Sequence, residues 1–247
     1  MHGPVAVDYS GLAATYDRAR SRETEVREFW VPSVLRLGGI TAGARVLDVG
    51  CGTGRLAVPL SEGHAVVGVD ASREMLAVAR GKRSHAGFVL GDASRLPFAA
   101  GTFEVAVAML VLHLLPDFRT CVREMARVAR RAVIATIDVP ARRKHAIDDA
   151  FPSLHAIDEG RFPRVAAIEE ACRETGWDRV ERHDVGRRVE SSVGEFIERV
   201  RGRYVSTLTL LPDGEFERGL AWLEAELPKR GERYAYEHTV TFVIASN

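Results

Sequence analysis

The chain has 247 residues, 46% of them hydrophobic and 28% charged, with 34 basic residues balancing 34 acidic ones. That suffices for one α/β domain with a sizeable core, and the lack of a basic excess weighs against a protein whose main task is holding nucleic acid. The three cysteines, Cys51, Cys121 and Cys172, are far apart and show no CxxC spacing. This argues against a disulfide framework or a structural zinc site and for buried or incidental thiols. No apolar run reaches the ~18 residues of a membrane span. The N-terminal MHGPVAVDYS lacks a basic stretch followed by an apolar one. A cytoplasmic protein with no membrane partner is the expectation.

In chain order, residues 10–37 read as helix, with Val26, Phe29, Trp30, Val34 and Leu37 at helical spacing. Pro32 should kink or divide it, and Gly38-Gly39 should end it. Short β-branched runs follow: Ala44–Val49, Ala65–Asp70, Phe88–Leu90, Phe103–Met109 and Ala132–Asp138. Runs apolar on both faces suit buried parallel strands. Helical stretches over 54–61, 73–80 and 116–130 lie between several of them. Strand alternating with helix predicts a doubly wound sheet.

Beyond Asp138 the order loosens, with three prolines and several charges in 140–164. Arg142-Arg143-Lys144-His145 reads as a solvated loop, with a site for a substrate anion as the sharper alternative. A helix over Val165–Thr175 should close at Gly176. A strand over Trp177–Val185, helices over 192–203 and 213–227, and a last strand over Thr239–Ala245 complete the chain. The stripe Phe216, Leu220, Leu223, Leu227 reads as core packing. The whole is one domain, 1–247. A nucleotide-binding core covers about 40–138, and helices within about 139–238 cap a site at the strands' C-terminal ends.

The strongest local signal is Val46-Leu47-Asp48-Val49-Gly50-Cys51-Gly52-Thr53-Gly54, a strand running into a glycine-rich turn with a helix starting near Arg55. Glycines permit a tight turn against a ligand. A dinucleotide fingerprint needs GxGxxG, but here the third glycine comes one place early and Arg55 holds its site. The P-loop lysine is also missing. The loop is therefore not built for pyrophosphate in either usual way. The second strand ends at Asp70, twenty residues after Gly50, where a carboxylate can accept from both hydroxyls of a ribose. The third ends in Gly91-Asp92-Ala93. In an open α/β sheet these three strand ends converge on one crevice.

VLDVGCGTG (46–54), VVGVDAS (66–72), GDASRLPF (91–98) and the stretch Phe103–Asp117 together resemble the class I S-adenosylmethionine (SAM)-dependent methyltransferases. The resemblance covers roughly 40–138 and is closest to the quinone-biosynthesis and small-molecule branch, where an N-terminal Tyr-Asp recurs, here Tyr16-Asp17. It implies a Rossmann-like, mainly parallel seven-stranded sheet, SAM as cofactor and S-adenosylhomocysteine as product. It further implies that Gly50, Gly52 and Gly54, with Cys51 between them, lie against the methionine part. Asp48 would orient the loop and reach the amino group, and Asp70 would hold the ribose. Asp92 and Ala93 would face the adenine, with Ala71 and Met75 packing on it. Met109 and Leu110 would border the methionine end, and Tyr16 would lie beside the site.

Two departures stand out. The family often has two histidines after the fourth strand, where this chain has His113-Leu114. It often has Pro-Gly-Gly before the fifth strand, where this chain has Arg130-Arg131. His113 is the first candidate for a general base, with His145 and His155 behind it. The acceptor pocket is expected between Tyr16, the segment after Met109 and the helices of 145–225.

The signature for exocyclic amines of bases and the Pro-Cys of cytosine-C5 enzymes are absent from Ala108–Val111. No carboxylate cluster suggests a metal. The leading reading is methylation of an O, N or C nucleophile on a small-molecule acceptor, a secondary metabolite or quinone-like compound. An RNA or protein methyltransferase, a non-catalytic SAM-binding regulator and, disfavoured by the glycine spacing, an NAD(P) oxidoreductase are the alternatives, and homodimerisation is left open.

Overall fold

A computed structural model describes residues 23–247; Tyr16 lies outside the described residues. Its centre is a seven-stranded sheet: β1 (Arg45–Val49), β2 (Ala65–Asp70), β3 (Gly87–Leu90), β4 (Phe103–Met109), β5 (Ala129–Thr136), β6 (Arg179–Ser192) and β7 (Arg233–Ser246). The strand order is β3-β2-β1-β4-β5-β7-β6. The first five strands are mutually parallel, and β7 runs antiparallel between β5 and β6. The strand order switches sides between β1 and β4, so the C-terminal ends of β1, β2 and β4 open onto one crevice, the usual place for a ligand in such a sheet.

Both faces of the sheet are covered. On one, α4 (Phe118–Val128) and α7 (Val165–Glu174) bury Val122, Met125, Ile168 and Cys172 against Leu47, Ala106 and Ile134. On the other, α1 (Val31–Gly38) and α2 (Ala57–Leu60) bury Val34 and Leu60 against Val46, Val107 and Val133. All three cysteines are buried free thiols. No described helix is long and apolar enough to cross a membrane.

Some boundaries fall where the sequence places them and others differ, each for a local reason. The first helix is divided at Pro32, by a wide π-turn over Val26–Trp30. Proline has no N–H to donate back along the helix, and the Val31 N–H reaches the carbonyl of Val26 instead. The helix expected over 54–61 shrinks to the single turn of α2, because Pro59 cannot donate one turn back and residues 52–56 remain a turn. So short a helix offers no N-terminal anion site. α3 (Arg73–Gly81) keeps its expected place, with Ser72 Oγ accepting from the Met75 N–H as N-cap. The helix expected over 116–130 ends at Val128, and β5 starts at once. Arg131 then reaches across to the carbonyls of Gly38 and Gly39 at the end of α1.

The largest difference lies in the second half. β6 and β7 are 14 residues each and pair along their whole length, Arg179↔Ser246 to Ser192↔Arg233. Their far halves project past the sheet as a two-stranded ribbon. On it sits a separate apolar cluster from α5 (Ala146–Ala150), α6 (Leu154–Arg161), α8 (Val193–Arg201) and α9 (Glu215–Glu226), which buries Phe151, Phe196, Leu208, Leu223 and Leu227 completely. Each such side chain contributes about 1.5–3 kcal/mol. The segment 140–164, expected to be loose, therefore holds two helices of this cap. Of the expected α9 stripe, Leu223 and Leu227 are central, while Phe216 and Leu220 flank them.

Candidate functional site

The glycine turn closes on itself. The N–H groups of Gly50 and Cys51 both donate to the Val69 carbonyl, at 2.8 and 3.1 Å, and that of Gly54 donates to Cys51, at 2.9 Å. The Gly52 N–H donates to Asp70 Oδ2, at 2.7 Å. Four of the five loop N–H groups are thereby spent inside the protein, leaving no cradle of donors for a phosphate. Gly50 and Gly52 both adopt left-handed φ, +70° and +54°, which side chains resist. A Cβ on Gly50 would lie 2.3 Å from Val111 Cγ2, whereas one on Gly52 would meet nothing within 4 Å. Gly52 thus faces open space. Gly54, expected beside the methionine part, instead packs its bare side against Phe88 and Ala79. Cys51 packs its sulfur in the space left by Gly68, and burial pushes its thiol far above the usual range.

Asp48 ends up beneath this turn because it is the penultimate residue of β1. It is 2% exposed, and its Oδ2 has no hydrogen-bond partner among the described residues. Burial, then repulsion from Asp70, raises its pKa to about 7, although the Ala57 N–H favours the charged form. It lines a cavity with Gly50, Gly52, Trp30, Met109 and Leu110. A buried carboxylate with one unpartnered oxygen, beside a turn with its donors spent, suits the ammonium end of a ligand rather than a phosphate.

Asp70 is half-buried at the end of β2. Besides Gly52, it accepts from the Ser72 N–H at 2.9 Å. A carboxylate has about four acceptor positions, so two remain for hydroxyls. On the neighbouring strand, Asp92 is exposed and bends back to accept from the Ser94 N–H at 2.8 Å. That contact, with the Ser94 hydroxyl, holds its pKa below the usual carboxylate range. Ala93 packs against the core, Ala71 is exposed, and Met75 is buried on the inner face of α3. Of the three strand ends, that of β1 lines the cavity beside Asp48, while those of β2 and β3 do not. Gly50, Cys51, Gly52, Asp48 and Met109 share one cavity, Asp70 ties its loop, and Gly54, Met75, Ala71, Asp92 and Ala93 lie outside that cavity.

A second cavity, of about 160 Å³, opens between the sheet and the cap. Leu110 and Trp30 line both cavities, which adjoin there. Leu110 is held at φ +52° with its N–H on the Ala135 carbonyl, a conformation costing on the order of 1 kcal/mol for a residue with a side chain. The expected acceptor side, after Met109 and under the cap, is where this cavity lies.

His113 lines this cavity, 7% exposed and stacked flat on Phe162 at 4.0 Å between ring centres. His145 also turns inward, where its Nδ1 meets Tyr234 Oη at 3.0 Å and its ring stacks on Tyr236. Burial, reinforced by Arg142, pushes its pKa down to about 4, against the pull of Asp148. Arg142 is largely buried and pairs with Asp148, with His155 Nδ1 3.4 Å away. The segment 142–145 is therefore not the solvated loop expected: Arg143 and Lys144 are exposed, while Arg142 and His145 pack into the cap.

The sequence reading missed Arg187, Arg199, Tyr204, Tyr236 and His238, all of which line the cavity. The signal was present: Tyr234, Tyr236 and His238 alternate, as one face of a strand should, and His238 pairs across the ribbon with Arg187. No group of three or more His, Cys, Asp or Glu among the described residues could hold a metal ion.

Residues 47–136 match the family model described as a methyltransferase domain. A demethylmenaquinone methyltransferase of Shouchella clausii is 36% identical over 110 residues, which cover 41% of this chain and 47% of that protein. The chain spans about half the length of the curated relatives it matches. A protein described as a candidate methyltransferase from an antibiotic biosynthesis pathway of Anabaena variabilis has a similar structure, with a TM-score of 0.71 at 19% identity, covering 88% of this chain and 96% of that one. Haemonchus contortus phosphoethanolamine N-methyltransferase 2, solved with phosphomonomethylethanolamine and S-adenosylhomocysteine, gives a TM-score of 0.56 at 18% identity, covering 90% of this chain and 52% of that one. These likenesses establish the fold.

Proposed function

We propose that this chain, whose residues 47–136 are a methyltransferase domain set in the class I methyltransferase fold, transfers the methyl group of SAM to an O, N or C nucleophile of a small-molecule acceptor. The observation that carries the reading is Asp48 Oδ2, a buried carboxylate oxygen without a partner under a glycine turn whose N–H groups are spent. That arrangement fits the ammonium of a methionine moiety. The two acceptor positions left on Asp70 fit a ribose diol, and Asp92 lies one strand further along for the adenine amino group. The neighbour solved with S-adenosylhomocysteine and the demethylmenaquinone methyltransferase relatives point the same way.

SAM supplies a methyl group already activated by its positive sulfur. What remains for the protein is to hold the nucleophile about 3–3.5 Å from that methyl and to exclude water. Trp30 and Leu110, the wall shared by both cavities, mark where the two reactants would meet. A cavity of about 160 Å³ enclosed by the cap admits a ring-sized acceptor group, which favours a small molecule such as a secondary metabolite or quinone-like compound over a folded protein or RNA. The test is formation of S-adenosylhomocysteine from SAM with a panel of hydroxylated aromatics, quinols and amines. Turnover that requires one of them is expected. Turnover only with RNA or protein would overturn the small-molecule reading, and none with any acceptor would leave a SAM-binding regulator.

His113 is the proposed proton acceptor where the nucleophile enters protonated. His113→Gln should then lower kcat by about 10²–10⁴ and remove the acidic limb of the pH–rate profile. A wild-type kcat with a raised KM would reduce His113 to a wall of the pocket.

A further inference from the structure

The cap cavity has a chemical bias that the methyltransferase reading does not use. Among the described residues, the buried side-chain nitrogens without a hydrogen-bond partner include Nε of Arg142, Arg187 and Arg199 and Nδ1 of His238; the only such oxygen is Asp48 Oδ2, in the other cavity. All four of those nitrogens belong to residues lining the cap cavity. A guanidinium Nε always carries its hydrogen, so at least three of the four are donors facing no acceptor. Buried donors are almost always matched, and nothing described in the cavity wall matches these.

The arginines differ in what else they touch. Arg142 is paired with Asp148, and Arg187 with Glu25. Arg199 has no carboxylate partner among the described residues, and its guanidinium lies 4.6 Å above the Tyr204 ring. The three carboxylates in the wall do not neutralise it. Glu25 is taken by Arg187 and the Trp30 indole, Asp158 accepts from Thr207, and Glu237 is exposed on the ribbon. An amine acceptor would therefore enter a wall of Arg142, Arg143, Arg187 and Arg199. The wall also carries the aromatic rings of Trp30, Phe162, Tyr204 and Tyr236, beside aliphatic side chains such as Leu110, Ile137 and Leu154.

Resting on the methyl-transfer reading, we propose that the acceptor is an aromatic carboxylic acid. Its ring lies against Tyr204 and Tyr236, and its carboxylate takes the unmatched donors, with Arg199 as the principal partner. The planar guanidinium fits a carboxylate through two parallel hydrogen bonds. His238, paired across the ribbon with Arg187, completes the rim of the anion site.

The test is calorimetric titration of the full chain with benzoate, benzamide, phenyl phosphate and benzylamine, with and without saturating S-adenosylhomocysteine. Benzoate should bind about tenfold more tightly than benzamide, the difference of one charge-assisted pair. Arg199→Gln should erase that difference and Arg199→Lys restore part of it. Both variants should keep the wild-type affinity for benzamide and S-adenosylhomocysteine, which shows that the fold is intact. Benzoate binding no tighter than benzamide, or undetectable at about 10 mM, overturns the proposal while the cofactor reading stands. Preference for phenyl phosphate or benzylamine overturns the carboxylate. Failure of S-adenosylhomocysteine to bind overturns the methyl-transfer reading instead, and the titrations without it still read the cavity.

Discussion

Replacing Asp48 with Asn should weaken S-adenosylhomocysteine binding by about 10–100-fold while making the ligand-free protein more stable at pH 8. The two effects have one origin. In the ligand-free fold the carboxylate is buried, faces Asp70 and has an oxygen without a partner. Its pKa therefore rises from 3.8 to about 7. A raised carboxyl pKa means that the native state holds its proton where the unfolded chain has lost it. Stability thus falls as pH rises from about 4 to about 7 and stays lower above that. A rise of that size corresponds to roughly 4 kcal/mol.

The Asn variant removes that loss but leaves buried amide N–H groups without an acceptor, at about 1–3 kcal/mol. The net gain at pH 8 is on the order of 2 kcal/mol, and stability between pH 4 and 7 should become flatter than in the wild type. In the complex the sign reverses, because a charge-assisted bond to an ammonium is worth roughly 1.5–3 kcal/mol. Denaturant unfolding across pH, with and without ligand, measures both. A variant that loses stability and keeps its affinity would show Asp48 to be a structural carboxylate only.

Gly219→Ala should destabilise the protein by about 2 kcal/mol, although alanine is the better helix former by about 1 kcal/mol. Gly219 lies within α9, where a Cβ would come 2.5 Å from the Ala150 carbonyl oxygen and 2.3 Å from the Phe151 ring. The carbonyl is backbone and cannot turn aside, and Phe151 is fully buried in the cap cluster. The clash can be relieved only by moving α5 away, and α5 carries Ile147 on the cavity wall just after His145. A fall in Tm of roughly 4–8 °C is expected for a chain of this size, with a raised acceptor KM and unchanged S-adenosylhomocysteine affinity. A gain in stability would show that the cap yields freely at this contact.

The cofactor half of the molecule was readable from sequence because its signals are local. β1 to β5 are short apolar runs, and the glycine turn and the carboxylate at the end of β2 follow at fixed spacing along the chain. Even the division of the first helix was announced by Pro32. The acceptor half was not readable, because its parts are far apart in sequence. Arg187 faces the cavity because β6 continues past the sheet, and His238 joins it only through a cross-strand pair formed 51 residues later in the chain. The polar ribbon carries alternating charges that look like a solvated surface until the cap helices cover one side. Arg142 and His145 were misread for the same reason: a basic tetrapeptide says nothing of Asp148 and Tyr234 waiting to pair with it.

Binding of SAM in the crevice under the glycine turn is tested most directly by calorimetric titration of the protein with SAM, S-adenosylhomocysteine and NADH. Micromolar binding of both sulfur ligands and none of NADH is the expected result. Binding of NADH, or no binding of SAM by folded protein, would contradict it and return the turn to some other nucleotide.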